Sequence, residues 1–172
     1  MIELIKSLGL KCLGFLPSFV CKKLYPLEYF KKHIVLDIQS RHDPVTVDCS
    51  GSPRVDIWFR IDNFTPFELT LKKLKIRFYL GQELGTQQEI QEFKVLKNSS
   101  ERIRVEGNFD REHVSIIKAN YNKTKFRIVV EYVKFSSVLF PIEFEPIILD
   151  EIKPRYQGVV FTEADRSNSN LL

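Results

Sequence analysis

No run of about twenty apolar residues, the length a helical bilayer span needs, occurs anywhere in this 172-residue chain. Cysteine is scarce. Of Cys12, Cys21 and Cys49, only Cys49 lies outside the first 32 residues, so the body has no pair to staple and a disulfide scaffold is excluded. His33, His42 and His113 are scattered, with no helical i, i+4 pair, so no metal centre is expected. Gly-x-Gly-x-x-Gly, the P-loop and Gly-x-Ser-x-Gly are all missing. That removes the usual phosphate cradles and the exposed nucleophile of the hydrolases. Asp37, Asp43 and Asp48 sit beside strand-like runs, where acidic residues ordinarily face solvent, and spacing alone identifies no acid–base pair. The expectation is a non-enzymatic protein without a cofactor.

What is present is enough to build a core: 44% of residues are hydrophobic and 12% aromatic. The length allows one domain and an appendage. Net charge is +4, and its location is informative. Residues 1–32 hold six lysines against two glutamates, and the remaining chain holds twenty basic against twenty acidic residues. A nucleic-acid binder would carry its basic patch on the folded body. Here the excess lies beside apolar residues at the N-terminus, which points to an anionic membrane surface and away from nucleic acid.

At 100° per residue, Ile2, Leu4, Ile5, Leu8, Cys12, Phe15, Leu16 and Phe19 share one broad arc, while Glu3, Lys6, Ser7, Lys11, Gly14 and Ser18 share the opposite one. Leu10 is the one large apolar residue on the polar side. Lys6 and Lys11 interrupt any span, and a secretory signal fits poorly because no small-x-small cleavage site follows. Two readings stand: an interfacial anchor assisted by Lys6, Lys11, Lys22 and Lys23, or a helix packed on its own domain or on a partner. Cys12 and Cys21 are acylation candidates, or small apolar residues on a helix face. Pro17 and Pro26 are expected to kink or end helical pieces.

From His33 the period changes to two. Val55, Ile57, Phe59 and Ile61 alternate with Asp56, Trp58, Arg60 and Asp62. From Thr70 to Leu80, the residues Leu74, Ile76, Phe78 and Leu80 fall on one face, with Leu71, Lys73, Lys75, Arg77 and Tyr79 on the other. Ile103 and Val105 continue the pattern, as do Phe126, Ile128, Val130 and Tyr132, with residues 138–144 as a hairpin partner. Asp110 is placed to cap one short helix over residues 111–119. The four basic residues Lys72, Lys73, Lys75 and Arg77 read as a solvated sheet surface more than as a phosphate site. Trp58 stands on a polar face, either as a contact patch or covered by the N-terminal helix. Asn63, Asn98 and Asn122 match the glycosylation acceptor pattern. Seven or eight strands and one short helix imply an all-β, antiparallel two-sheet sandwich over residues 33–156, preceded by the amphipathic segment 1–32. A tail from 157 to 172 lacks periodicity and reads as mobile.

The stretch 63–85 carries turn chemistry at both ends: Asn63 and Pro66 before its strand, Gly81 and Gly85 after it. Asn, then Thr-Pro-Phe-x-Leu, a strand Leu-x-x-Leu-x-Ile-x-Phe-Tyr-Leu and Gly-x-x-Leu-Gly resembles the type-two late embryogenesis abundant, or water-stress-and-hypersensitive-response (WHy), domain family. The likeness spans roughly residues 34–150, with Asn63, Pro66, Phe67, Gly81 and Gly85 as its signature. Phe64-Thr65 intervening before Pro66 departs from that family's common Asn-Pro corner. The resemblance implies a fibronectin- or immunoglobulin-like sandwich, often membrane-tethered, with no catalytic residues to carry over. The function expected is binding or scaffolding at a membrane surface through lipid contacts and protein partners. The alternatives are an accessory subunit of a membrane assembly, or a lipid or small-ligand carrier.

Overall fold

A computed structural model describes residues 17–39, 43–84 and 92–159. Among these residues two short helices come first, α1 (Ser18–Leu24) and α2 (Leu27–His33). Eleven strands follow: β1 (Ile34–Ile38), β2 (Val45–Asp48), β3 (Arg54–Asn63), β4 (Leu69–Leu80), β5 (Gln82–Glu83), β6 (Phe93–Val95), β7 (Ser99–Asn108), β8 (Phe126–Ser136), β9 (Pro141–Phe144), β10 (Ile147–Ile152) and β11 (Arg155–Gln157). A third helix, α3 (Arg111–Asn120), lies between β7 and β8.

The strands form the two sheets of a β-sandwich. In the first, β3 is central. β7 pairs with its whole length, from Arg54 opposite Asn108 to Asn63 opposite Ser99. On its other side β2 pairs with the first half and β1 with the second. In the second sheet β4 pairs with β8, and their outer sides carry β5 and β6, and β10 and β9, respectively. All pairs are antiparallel except β11 with β2, which corrects the expectation of a wholly antiparallel arrangement. The chain reaches that edge from β10 in the other sheet, so no hairpin dictates its direction.

The expected core is found. Ile57, Phe59, Ile61, Leu74, Ile76, Phe78, Ile103, Val105, Phe126, Ile128 and Val130 are all buried. Leu71 is buried too, although it was expected on the polar face of β4. The reason is a bulge. The register between β4 and β8 slips between Leu71 and Lys73, so Leu69 and Leu71 share a face with Leu74, Ile76, Phe78 and Leu80. A second slip, between Lys75 and Ile76, skips Glu131 on β8 and returns the strands to register. Val133 and Phe135 are therefore buried in β8, and Tyr132 is not. Each bulge inserts one residue and reverses the in–out alternation beyond it.

Helical period gives way to strand period where expected, at His33 and Ile34. The change takes place inside one packed body. Cys21, Tyr25 and Phe30 belong to the same buried cluster as the strand residues. Pro17 and Pro26 stand at the N-cap positions of α1 and α2. They therefore open helices, where a missing N–H costs nothing. Asp110 occupies the N-cap position of α3, but its side chain makes no capping hydrogen bond. At the other end of the chain, Gln157 pairs with Asp48 and Val159 is buried, so ordered structure runs past Tyr156.

Candidate functional site at the helical end

Two helices and three loops meet at one end of the sandwich. The register places them there. Ile34, which follows α2, is opposite Asn63; Ser99 is opposite Asn63; Leu69 is opposite Val95; and Ser136 is opposite both Thr70 and Pro141. The end thus comprises α1 and α2 with residues 64–68, 96–98 and 137–140.

Asn63 organises it. Its side chain is fully buried and its amide nitrogen donates to the carbonyls of Phe67 and Leu96, both at 2.8 Å. Its Oδ1 accepts from the Thr65 N–H at 3.0 Å and the Thr65 hydroxyl at 2.7 Å. Among the described non-glycine residues only Asn98, with φ of 47°, lies in the left-handed region. Asn63 acts through its side chain, which satisfies carbonyls that the corner leaves without strand partners. A buried Asn63 with four hydrogen bonds also has no room for a glycan; Asn98 and Asn122 are exposed. At the other end of β4, Gly81 does adopt the expected positive φ, 76°.

The helices are clamped by rings. Phe30 is 0% exposed and lies 5.4 Å from Phe67 and 5.9 Å from Phe140, centroid to centroid. Tyr25 meets Phe67 edge-on at 5.2 Å. Lys22 places its ammonium 5.5 Å from the centroid of Phe140. The Phe64 N–H donates to the His33 carbonyl at 2.9 Å, tying the corner to α2. Burial pushes the Tyr25 and Tyr29 hydroxyls above the ordinary tyrosine range. Cys21 is only 3% exposed in this seam, which matches a packed small residue and leaves no space for an acyl chain.

Outward, the same end is apolar. Phe19 is 73% exposed, Phe64 57%, Leu96 52% and Val138 81%. The other exposed large hydrophobics among the described residues, Val35, Trp58 and Ile148, lie on strands. The tips are held rigidly. Ser137 Oγ accepts from the N–H groups of Leu139 and Phe140, closing the turn that carries Val138. Leu96 O accepts from Asn63 and from Ser99 Oγ at 2.8 Å. This end carries Lys22, Lys23, Lys31, Lys32 and Lys97, against Glu28 and Glu68 and, in a cleft shared with Lys31, Glu143 and Glu145.

Of the residues expected to touch a membrane, Phe19, Lys22 and Lys23 are therefore at this end. Ile2, Ile5, Lys6, Leu8, Lys11, Cys12, Phe15 and Leu16 lie outside the described residues, as does Gly85 of the family-like signature. Phe64, Leu96 and Val138 were missed. Their signal was faint but present: each is a large apolar residue inside a turn, where polar residues are the rule. Val138 had been read as part of a strand.

Elsewhere the surface is neutralised. Lys75 Nζ lies 2.8 Å from Glu131, and Arg77 Nε 2.6 Å from the same carboxylate. Arg77 also reaches Glu83 at 3.3 Å, Lys134 reaches Glu143 at 2.9 Å, and Lys72 pairs with Glu92. The hydrogen bond from Lys75, aided by Arg77, holds the Glu131 carboxyl below its usual range. Lys72, Lys75 and Arg77 of β4 thus form ion pairs on a sheet surface, and β4 is an inner strand, not an edge. Trp58 is 40% exposed opposite Arg104. The space between the sheets is filled by Phe59, Phe78, Phe126 and Phe135. An open cleft lies at the sandwich edge, where Ile38 and Pro44 face Ile148, Leu149 and Ile152, and another lies beside α2, lined by Leu27, Lys31, Pro141 and Glu143. Among the described residues no group of His, Cys, Asp and Glu is placed to hold a metal, and no helix is long and apolar enough to cross a membrane.

No protein-family model matches the chain, and no curated protein does. Some solved structures are similar to it at low scores. A protein from Archaeoglobus fulgidus is similar with a TM-score of 0.44 and 10% identity, over 68% of this chain and 90% of its own. A Northeast Structural Genomics Consortium target has a TM-score of 0.43 and 10% identity, over 76% of this chain and 92% of its own. The periplasmic chaperone SfaE has a TM-score of 0.36 and 14% identity, over 76% of this chain and 60% of its own. All three scores lie below 0.5, and nothing about binding or activity is transferred from them.

Proposed function

We propose that this protein is a non-enzymatic, membrane-associated β-sandwich that binds or scaffolds at an anionic membrane surface, attached through its N-terminal region. One observation carries the reading. Phe19, 73% exposed, stands with exposed Lys22 and Lys23 where residues 1–16 join the body. An interfacial attachment gains from buried apolar side chains and from lysines near anionic headgroups, about 1 kcal/mol for each lysine close to the surface. The ring-clamped packing of α1 and α2 couples such an attachment to the whole sandwich. The resemblance to the type-two late embryogenesis abundant or WHy domain, and an immunoglobulin-like strand arrangement, belong to this reading. The two-sheet body and the buried Asn63–Thr65 corner support them.

The test is flotation of the full-length protein with vesicles of phosphatidylcholine alone or mixed with phosphatidylserine. Binding to the mixed vesicles that weakens with salt is the expected result, since exposed charges are screened within about 10 Å at 0.1 M. Protein that stays at the bottom of the gradient with both vesicle types refutes the proposal.

A further inference from the structure

We infer that the body itself penetrates the membrane at the helical end, through a second contact formed by the tips Phe64, Leu96 and Val138. This rests on the membrane reading above and adds to it an orientation. The three tips come from three separate connections, β3 to β4, β6 to β7 and β8 to β9. None is demanded by the fold, because a polar residue in each turn would leave the core beneath untouched. Together with Phe19 they place four exposed large apolar side chains at one end, while the loops of the opposite end, 49–53 and 120–125, expose none. Scattered apolar residues on a surface need no explanation, but clustered ones rimmed by charge mark an interaction site.

The occupant follows from charge and shape. Lys22, Lys23 and Lys97 are exposed beside Phe19, Phe140 and Leu96, and Glu143 and Glu145 lie on the side of Lys31, so the face that carries α1 and Leu96 is the basic one, which suits an anionic partner. The apolar residues sit on separate projecting turns with lysines beside and behind them. A bilayer accepts that arrangement: apolar tips enter the headgroup and acyl boundary while lysines stay at headgroup level. The occupant is therefore the surface of an anionic phospholipid bilayer. The hydrogen bonds of Ser137, Ser99 and Asn63 hold the turns in place beforehand, so little ordering entropy remains to be lost on contact. Contact through this end stands the sandwich on its helical end, with the 120–125 turn farthest from the bilayer.

The experiment uses the full-length chain with Trp58→Phe, which leaves one introduced tryptophan as the sole indole. Val138→Trp reports the helical end and Lys123→Trp the opposite end. Each is mixed with vesicles of phosphatidylcholine and phosphatidylserine carrying brominated acyl chains. The expected result is a shift of the Val138→Trp emission to shorter wavelength with loss of intensity to bromine, and no change for Lys123→Trp. Vesicle binding without quenching at position 138 overturns this inference and leaves attachment by the N-terminal segment standing. Equal quenching at both positions overturns the orientation. No binding by either protein overturns both proposals. The double variant Phe64→Ser, Val138→Ser, checked for an unchanged circular dichroism spectrum, should bind the same vesicles less tightly; undiminished affinity also refutes the penetration.

Discussion

Replacing Phe30 by alanine tests how firmly the helices belong to the body. Phe30 is fully buried, its ring tilted 33° to Phe67 at 5.4 Å and nearly edge-on to Phe140 at 5.9 Å. Truncation removes a phenyl group and leaves a cavity between α2 and the loops 64–68 and 137–140. Buried Phe→Ala changes cost about 3–5 kcal/mol, of which each ring pair accounts for about 0.5–1.5 kcal/mol. For a domain of this size about 2–4 °C of melting temperature is lost per kcal/mol, so the midpoint should fall by about 6–20 °C. Urea unfolding followed by circular dichroism measures the cost directly, and an unchanged m-value assigns it to stability alone. Phe19→Ala is the internal control. It sits on α1 but is 73% exposed, so its cost should stay within about 0.5 kcal/mol. If the two variants unfold together, α2 is only loosely attached and the clamp has no energetic meaning. By the same reasoning a chain starting at Ile34 should be far less stable than one starting at Pro17, because it strips Phe30, Tyr25 and Cys21 from the core.

Asn63→Ala should cost about 2 kcal/mol or more, since it removes four hydrogen bonds at once and leaves the buried Thr65 N–H without its acceptor; thermal melts of the variant would show it, and a cost near zero would mean that water replaces the amide. Gly158→Ala should destabilise by more than about 1 kcal/mol. Its φ is +69°, and a Cβ there would lie 2.5 Å from the Ser50 nitrogen, so the β11 edge must move; unfolding in urea at unchanged midpoint would refute this. Glu131→Gln removes the partner of Lys75 and Arg77. Because the folded-state carboxyl is depressed from its ordinary 4.5, its stabilisation is present above that pH and lost as pH falls through the lower folded value. The gap in melting temperature between wild type and variant should therefore be present at neutral pH and close in acid. A gap that is constant with pH would place the effect outside the ion pair.

The sequence by itself determined the mainly β, layered architecture, because strands with one apolar face and few helices to cover them bury those faces against one another. It also determined the switch at His33, where the apolar spacing changes from that of a helix to that of a strand. The tertiary structure decided what local pattern could not encode. Leu71 is core and Tyr132 is not because two bulges, one in each partner strand, cancel across the pair; either alone would leave β4 and β8 out of register beyond it. Asn63 gains its importance from Leu96, a residue thirty-three positions away, whose carbonyl it joins to that of Phe67 through one amide nitrogen. The apolar end has the same origin. Phe19, Phe64, Leu96 and Val138 are far apart in the chain and unremarked in their own turns. They share one end only because strand register brings four connections to the same edge of the sandwich.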